Sequence, residues 1–124
     1  MAITTALTTH FGLNWPVVLA PMAFVSGGRL AAAVTEAGGL GLIGGGYGER
    51  GFVAREFTAA GNREVGIGFI SWSLAGDPGL LDLALDHAPR AVFLSFGDIR
   101  PFAGRVRRAS TPLFAQVQSV EMAK

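Results

Sequence analysis

Cysteine is absent from this chain, and so are long apolar runs and any concentration of charge of one sign. Without cysteine there is no disulfide, no thiol nucleophile and no thiolate metal site, a composition that suits a reducing compartment. No apolar run approaches the roughly 18 residues that a membrane-spanning helix needs. The first ten residues also lack the basic start and apolar stretch of a signal peptide. We therefore expect a cytoplasmic protein that does not enter a membrane.

Charged residues are few and evenly mixed. Ten basic and nine acidic side chains give a formal net charge of +1, and they form neither a basic stripe nor a run of like charge. This pattern argues against nucleic acid as a partner. Half of the residues are apolar, so a chain of 124 residues can build the core of one domain.

Glycine is abundant, and its positions between residues 27 and 68 coincide with the ends of apolar segments. Residues 16–46 predict a buried strand, a turn, an alanine-rich helix and a second strand that ends in Gly44, Gly45 and Gly46. A strand exit without side chains lets a flat or phosphorylated ligand approach the backbone closely. The spacing is not that of the G-x-G-x-x-G fingerprint, which argues against a dinucleotide site.

Strand-like and helix-like segments alternate along the whole chain. Apolar runs predict strands at residues 17–20, 40–43, 65–70, 91–96 and 113–117, and helical periodicity predicts helices at 27–37, 49–60, 78–85, 98–108 and from 119 onward. Ser26 and Asp77 are in positions typical of helix N-caps. Five apolar strands joined by helices indicate a parallel sheet that is buried on both faces. Both a doubly wound sheet and a (β/α)8 barrel fit this order, but a whole barrel needs about 250 residues.

Several segments resemble the nitronate monooxygenases, which are flavin-dependent (β/α)8-barrel enzymes. The similar stretches are residues 13–22, 37–41, 65–70, 91–97 and 113–121, and they occur in the family's order. The resemblance implies an α/β fold in which residues 1–124 form the first five β/α units of a flavin-binding TIM-barrel domain. The remaining strands are then expected beyond Lys124, as in the N-terminal part of a longer protein.

The resemblance also implies a binding site for FMN at the strand exits. In the family, the backbone that corresponds to residues 20–22 lies against the isoalloxazine ring. Many members carry an asparagine where this chain has Gly68, so one polar flavin contact is missing here. The expected cofactor-binding residues are Ala20, Pro21, Met22, Ala23, Gly45, Gly68, Ser95 and Gln116.

No catalytic residue is expected within this chain. In the family, the catalytic histidine follows the next strand, and the flavin phosphate lies on loops after strands seven and eight. Both features would lie beyond Lys124, and His10 and His87 are expected on the surface, away from the strand exits. The full-length protein is therefore expected to oxidise alkyl nitronates with molecular oxygen, whereas the chain alone is expected to be inactive. No metal site is expected.

Two other interpretations stay open at this stage. Flavin-dependent enoyl reductases of fatty-acid synthesis share the Met-Ala and Gly-Gly-Leu-Gly segments, although the sequence Ala20-Pro21-Met22 favours the monooxygenase. Alternatively, the chain is a truncated half barrel without catalytic activity. The unpaired edges of such a sheet offer surfaces for self-association.

Overall fold

Parallel strands form the centre of the fold. The computed structural model describes residues 3–124, and its sheet has four strands in the order β1-β2-β3-β4, all parallel. The strands are β1 (Leu42–Gly44), β2 (Gly66–Ile70), β3 (Val92–Ser95) and β4 (Leu113–Ala115). The helices are α1 (Ala6–Phe11), α2 (Gly28–Glu36), α3 (Arg50–Ala60), α4 (Ser71–Leu74), α5 (Gly79–Asp86), α6 (Arg100–Arg108) and α7 (Val120–Ala123).

The α/β class predicted from the sequence is confirmed, but the first predicted strand is not a full strand. Residues 17–20 form only a single parallel bridge, between Val18 and Leu40. Hydrogen bonds of 2.9 Å on either side of this bridge, from Leu40 N–H to Val17 and from Leu19 N–H to Leu40, hold the segment beside β1. Prolines bracket the run at positions 16 and 21 and cannot donate to a ladder, which limits its length.

One face of the sheet packs against helices. Alternate strand residues point to this face, and none of them is more than 3% exposed. They pack with apolar side chains of α2, α3, α5 and α6 in the main core. The strand residues on this face are Ile43, Ile67, Phe69, Val92 and Leu94. Burial of these strand residues and of the helix side chains packed on them contributes apolar driving force for folding.

The opposite face, here called the inner face, is closed at its amino end. Leu13, Leu40, Leu42 and Ala91 form a second buried cluster there, with α1 packed over it. The ring of Phe11 in α1 stacks on Phe114 of β4 at a centroid distance of 5.6 Å. This group is called the amino-end cluster below.

Two predicted helix caps have other roles. Helix α2 has Gly27 as its N-cap, with no hydrogen bond from the Ser26 side chain, and the Gly28 N–H donates to Glu56 of α3 at 2.7 Å instead. A carboxylate at a helix N-terminus is favoured by the helix dipole. Helix α5 has Pro78 at its N-cap, and the carboxylate of Asp77, one residue earlier, pairs with Arg50. The backbone N–H of Gly79, the first residue of α5, also lowers the pKa of this carboxylate. The prediction of Ser26 as a capping side chain was wrong, and Asp77 lies one residue before the N-cap of α5 instead of at it.

The described part of the chain contains no helix that is both long enough and apolar enough to span a bilayer.

Candidate functional site

A cavity of about 280 Å³ opens at the carboxyl end of the sheet. It lies at the carboxyl ends of β1, β2 and β3, next to the segment that follows the Val18 bridge. Parallel α/β folds bind their ligands at this edge of the sheet. The lining residues are Pro21, Met22, Ala23, Gly45, Gly46, Tyr47, Gly68, Phe69, Ile70, Ser95 and Phe96.

The structure brings together six of the eight residues that the sequence predicts for the cofactor. These six are Pro21, Met22, Ala23, Gly45, Gly68 and Ser95. Ala20 precedes the lining segment without lining the cavity itself. Gln116 follows β4 and lies on a separate hollow beside α6 and α7, where its backbone N–H donates to Leu94 at 2.9 Å. Ala20 and Gln116 were predicted to belong to this group, and the cavity lining includes neither.

The strand-exit glycines leave room for the protein's own chain. A Cβ atom at Gly68 would overlap the ring of Pro21, and one at Gly44 would overlap the carbonyl of Met22. A Cβ at Gly45 would lie 2.6 Å from the ring of Phe69. The sequence suggested that these bare positions admit a ligand, but at Gly44, Gly45 and Gly68 the adjacent space is already filled by protein atoms.

Ser95 supplies the one side-chain hydroxyl among the non-aromatic residues that line the cavity. It is 7% exposed, and its Oγ lies 3.4 Å from the carbonyl oxygen of Phe69, a distance at the long limit for a hydrogen bond. No lining residue carries a charge. Such a wall suits a neutral, flat group with polar edges better than a phosphate, which needs cationic or clustered backbone donors.

Exposed aromatic side chains gather around Tyr47, which lines the cavity. Phe24, Tyr47 and Trp72 are 70%, 58% and 63% exposed. The Tyr47 ring lies 5.9 Å from Phe24 and 6.2 Å from Trp72, measured between centroids. These three residues are called the aromatic rim below. Only the meeting of three strand exits shows that these rings are neighbours.

Two phenylalanines beside the cavity have an unusual backbone conformation. Phe24 and Phe96 have φ angles of 61° and 55°, in the left-handed region that non-glycine residues seldom adopt. Both follow the carboxyl end of a bridge or strand, and both side chains are more than half exposed. Ala88 and Ser110, which precede β3 and β4 at the opposite end of the sheet, have similar φ angles of 50° and 56°, so this conformation is not confined to the cavity.

Neither histidine lies at the cavity. His10 is exposed next to Phe11, and exposed His87 stacks on Phe57 of α3 with ring centroids 4.5 Å apart. Their surface positions agree with the prediction. Among residues 3–124 there is no group of three or more metal-ligating His, Cys, Asp or Glu side chains.

The N-terminal part of the chain matches a known protein family. The family model for nitronate monooxygenase matches residues 4–62. The chain resembles this family in its N-terminal part. The match includes Pro21, Met22 and Gly45, whereas Gly68 and Ser95 lie outside it. The resemblance inferred from the sequence is thus confirmed, and it is the one that implies a flavin.

Solved structures extend the likeness to the whole chain. Nitroalkane oxidase from Streptomyces ansochromogenes is 30% identical, with a TM-score of 0.73, and the match covers 96% of this chain and 44% of that one. FabK from Thermotoga maritima is 22% identical, with a TM-score of 0.83 over 98% of this chain and 40% of its own. A mutant of that FabK gives 23% identity and a TM-score of 0.85 over 98% and 41% of the two chains. No curated protein sequence matches.

The FabK likeness establishes the fold alone. The fold is that of the N-terminal β/α units of a TIM barrel, as the resemblance implied. This chain spans about two fifths of the length of these structures, between 40 and 44%.

Proposed function

We propose that this chain supplies the ring-binding part of a flavin site in an oxidoreductase that oxidises alkyl nitronates with molecular oxygen. The observation that carries the proposal is the cavity at the carboxyl end of the sheet, with Pro21 and Met22 in its wall. The match to the nitronate monooxygenase model over residues 4–62 and the 30% identity to a nitroalkane oxidase support the same class of reaction.

The cavity fits the ring of FMN better than its phosphate. Its lining combines Gly45, Gly46 and Ser95 with apolar residues such as Met22 and Phe96. This combination is typical of sites for flat heteroaromatic ligands. Bound FMN would supply the redox chemistry, as cofactors do in such enzymes. Because no lining residue is charged, the phosphate needs residues other than these.

The roles of the chain's own residues follow from their positions. Pro21 and Met22 would form one wall against the ring, and Ser95 would offer its hydroxyl to a polar ring edge. The aromatic rim would cover the apolar alkyl group of the substrate, since aromatic rings bury apolar groups while Tyr and Trp keep a polar end in water. The cavity lining contains no His, Asp, Glu or Lys side chain to act as a general base, so the chain alone would not remove a substrate proton.

The experiment compares this chain with a version extended through the remaining β/α units. We expect the extended protein to purify with visible flavin absorbance and to consume oxygen when an alkyl nitronate is added. The 124-residue chain is expected to bind FMN weakly and to show no turnover. An extended protein that retains no flavin would contradict the proposal, and so would an extended protein that reduces an enoyl thioester but leaves nitronates untouched.

Self-association is a separate part of the proposal. Strand β4 is paired with β3 only, among the described residues, and its other side presents unpaired backbone groups. An open parallel edge of this kind can pair with a second copy of the chain. Light scattering of the purified chain over a range of concentrations would test this, and a monomer at every concentration would refute it.

A further inference from the structure

Ser26 is buried directly behind the cavity wall. Ser26 is only 1% exposed, and its Oγ accepts a hydrogen bond from the Met22 N–H at 2.7 Å. The same hydroxyl donates to the Met22 carbonyl oxygen at 3.1 Å. One hydroxyl therefore satisfies both backbone polar groups of a residue that lines the cavity.

Backbone hydrogen bonds complete the turn. The N–H groups of Val25 and Ser26 both donate to the Met22 carbonyl, at 3.1 and 2.9 Å. The carbonyl of Ser26 accepts from the Gly44 N–H at 2.8 Å, which joins the turn to the end of β1. Residues 22–26 are thus fixed to the sheet through Ser26, and the strained φ of Phe24 lies within this turn.

Two glycines of the sheet pack against the neighbouring residues Pro21 and Met22. The carbonyl of Met22 lies against Gly44 and the ring of Pro21 lies against Gly68, where any side chain would collide. Because both polar backbone groups of Met22 bond within the protein, what this residue offers to a ligand is its side chain, which is 41% exposed. The position of that side chain depends on the peptide that Ser26 holds.

We propose that Ser26 is a positioning residue, whose hydroxyl fixes the Met22 peptide and thereby sets the shape of the cavity wall that the flavin ring contacts. The second half of this statement rests on the proposed function. The first half concerns the chain alone, and it can be tested without any cofactor.

Ser71 provides a matched control. Like Ser26 it is 1% exposed, but its hydroxyl has no hydrogen-bond partner among residues 3–124. Replacing either serine by alanine removes one buried oxygen and leaves a similar void. The two variants differ in whether hydrogen bonds are lost, so their difference isolates the bonds that Ser26 makes.

The experiment is amide hydrogen exchange by NMR on the wild-type chain, Ser26→Ala and Ser71→Ala. The Met22 amide is measured relative to core amides of β3, so that a general loss of stability cancels. We expect exchange at Met22 to accelerate roughly tenfold in Ser26→Ala, as the loss of about one hydrogen bond implies, and to stay unchanged in Ser71→Ala. Equal Met22 exchange in wild type and Ser26→Ala would overturn the proposal, and so would equal acceleration in the two variants.

Further variants and an FMN titration complete the test. If Ser26→Ala does not fold, Ser26→Cys keeps a weak hydrogen-bonding group and is expected to give an intermediate acceleration, whereas unchanged Met22 exchange would overturn the proposal. Titration of FMN into each folded variant is expected to show severalfold weaker binding when the Ser26 hydroxyl is missing. Undiminished FMN binding in Ser26→Ala would overturn the claim that Ser26 sets the shape of the wall that the flavin ring contacts. If wild type shows no FMN binding at all, the proposed function fails while the exchange result still decides the role of Ser26.

Discussion

The two ends of the inner face differ in side-chain size although the same strands build both. At the amino end, Leu40, Leu42 and Ala91 are completely buried under α1. Two residues further along β1, Leu42 gives way to Gly44, and on β3 the face ends in Ser95. Two residues of strand correspond to about 7 Å, so the change from sealed core to open cavity is abrupt.

Within a single strand, the residues at the amino end therefore serve stability and those at the carboxyl end serve ligand binding. Large apolar side chains seal the amino end, where their burial contributes to folding. Small residues at the carboxyl end admit Pro21 and Met22 of the chain itself, and the remaining space forms the cavity. Substitutions at the amino end should therefore change the free energy of unfolding, whereas exposed residues at the carboxyl end should change ligand binding.

Leu42→Ala should have the largest effect on stability. Leu42 is fully buried, and truncation of such a leucine costs about 2–5 kcal/mol in the free energy of unfolding. Urea denaturation followed by circular dichroism measures this loss. Leu30→Ala is the control, because Leu30 is 43% exposed in α2 and should change stability by much less. Equal losses in the two variants would contradict the role given to the amino-end cluster.

Gly68→Leu should affect both properties. The new side chain would occupy the place of the Pro21 ring, so we expect about 1–3 kcal/mol of destabilisation from overpacking and weaker flavin binding in the extended protein. Gly104→Ala in α6 serves as the control, since its Cβ would meet only the end of the Arg108 side chain and alanine favours a helix. An unchanged flavin content in Gly68→Leu would show that Pro21 does not shape the site.

Met22→Glu should separate binding from stability. The side chain is 41% exposed at the cavity, so the variant should unfold at nearly the same urea concentration as wild type. Flavin bound against it would bury an unpaired charge at a cost of several kcal/mol, and binding should be lost from the extended protein. Met122→Glu is the control, since Met122 is similarly exposed, at 50%, and lies outside the cavity. Retained flavin in Met22→Glu would place the ring elsewhere.

The Arg50–Asp77 pair predicts a smaller, pH-dependent effect. Its hydrogen bonds of 2.6 and 2.7 Å join the starts of α3 and α5, and the bond from Arg50 lowers the pKa of the Asp77 carboxyl below its ordinary value. A lowered pKa in the folded state adds stability above the unfolded pKa of about 4, and this gain is lost as the pH falls further. Asp77→Asn should therefore be slightly less stable than wild type at neutral pH and equal to it in acid.

Denaturation of wild type, both single variants and the double variant Asp77→Asn, Arg50→Met measures the coupling. The pair is exposed, so the coupling should be small and should fall with salt. A coupling that persists unchanged at low pH would refute the assignment to the ionised carboxylate.

Histidine replacements should have the smallest effects. His10→Ala and His87→Ala in the extended protein should leave nitronate turnover and flavin content unchanged, because neither ring lies at the cavity. His87→Ala should lower stability slightly, since its ring stacks on Phe57. Lost turnover in His87→Ala with full flavin occupancy would mean that the active site lies elsewhere.

The alternation of strands and helices could be predicted from the sequence because each element carries its own local signal. Apolar runs and helical periodicity located β1 to β4 and most helices to within a few residues. The first strand was overestimated, because an apolar run between two prolines looks like a strand whether it makes one bridge or several. The four-residue α4 was missed, since a helix of this length shows no periodicity.

The site could be predicted only in part. Strand exits are visible in the sequence, and six of eight expected residues meet at one cavity. The buried role of Ser26 was hidden, because a serine just before a helix has the same local pattern as an N-cap. The aromatic rim was also hidden, since Phe24, Tyr47 and Trp72 are far apart in sequence and meet only through the order of the strands.

The most direct test of the central claim is an NMR titration of the 124-residue chain with millimolar FMN. If the carboxyl end of the inner face receives the flavin ring, shifts should concentrate at the amides of Ala23, Gly45, Gly46 and Phe96. Amides of the amino-end cluster, at Leu13, Leu40 and Leu42, should not move. Shifts at that cluster, shifts confined to the hollow beside Gln116, or no shifts at all would contradict the account.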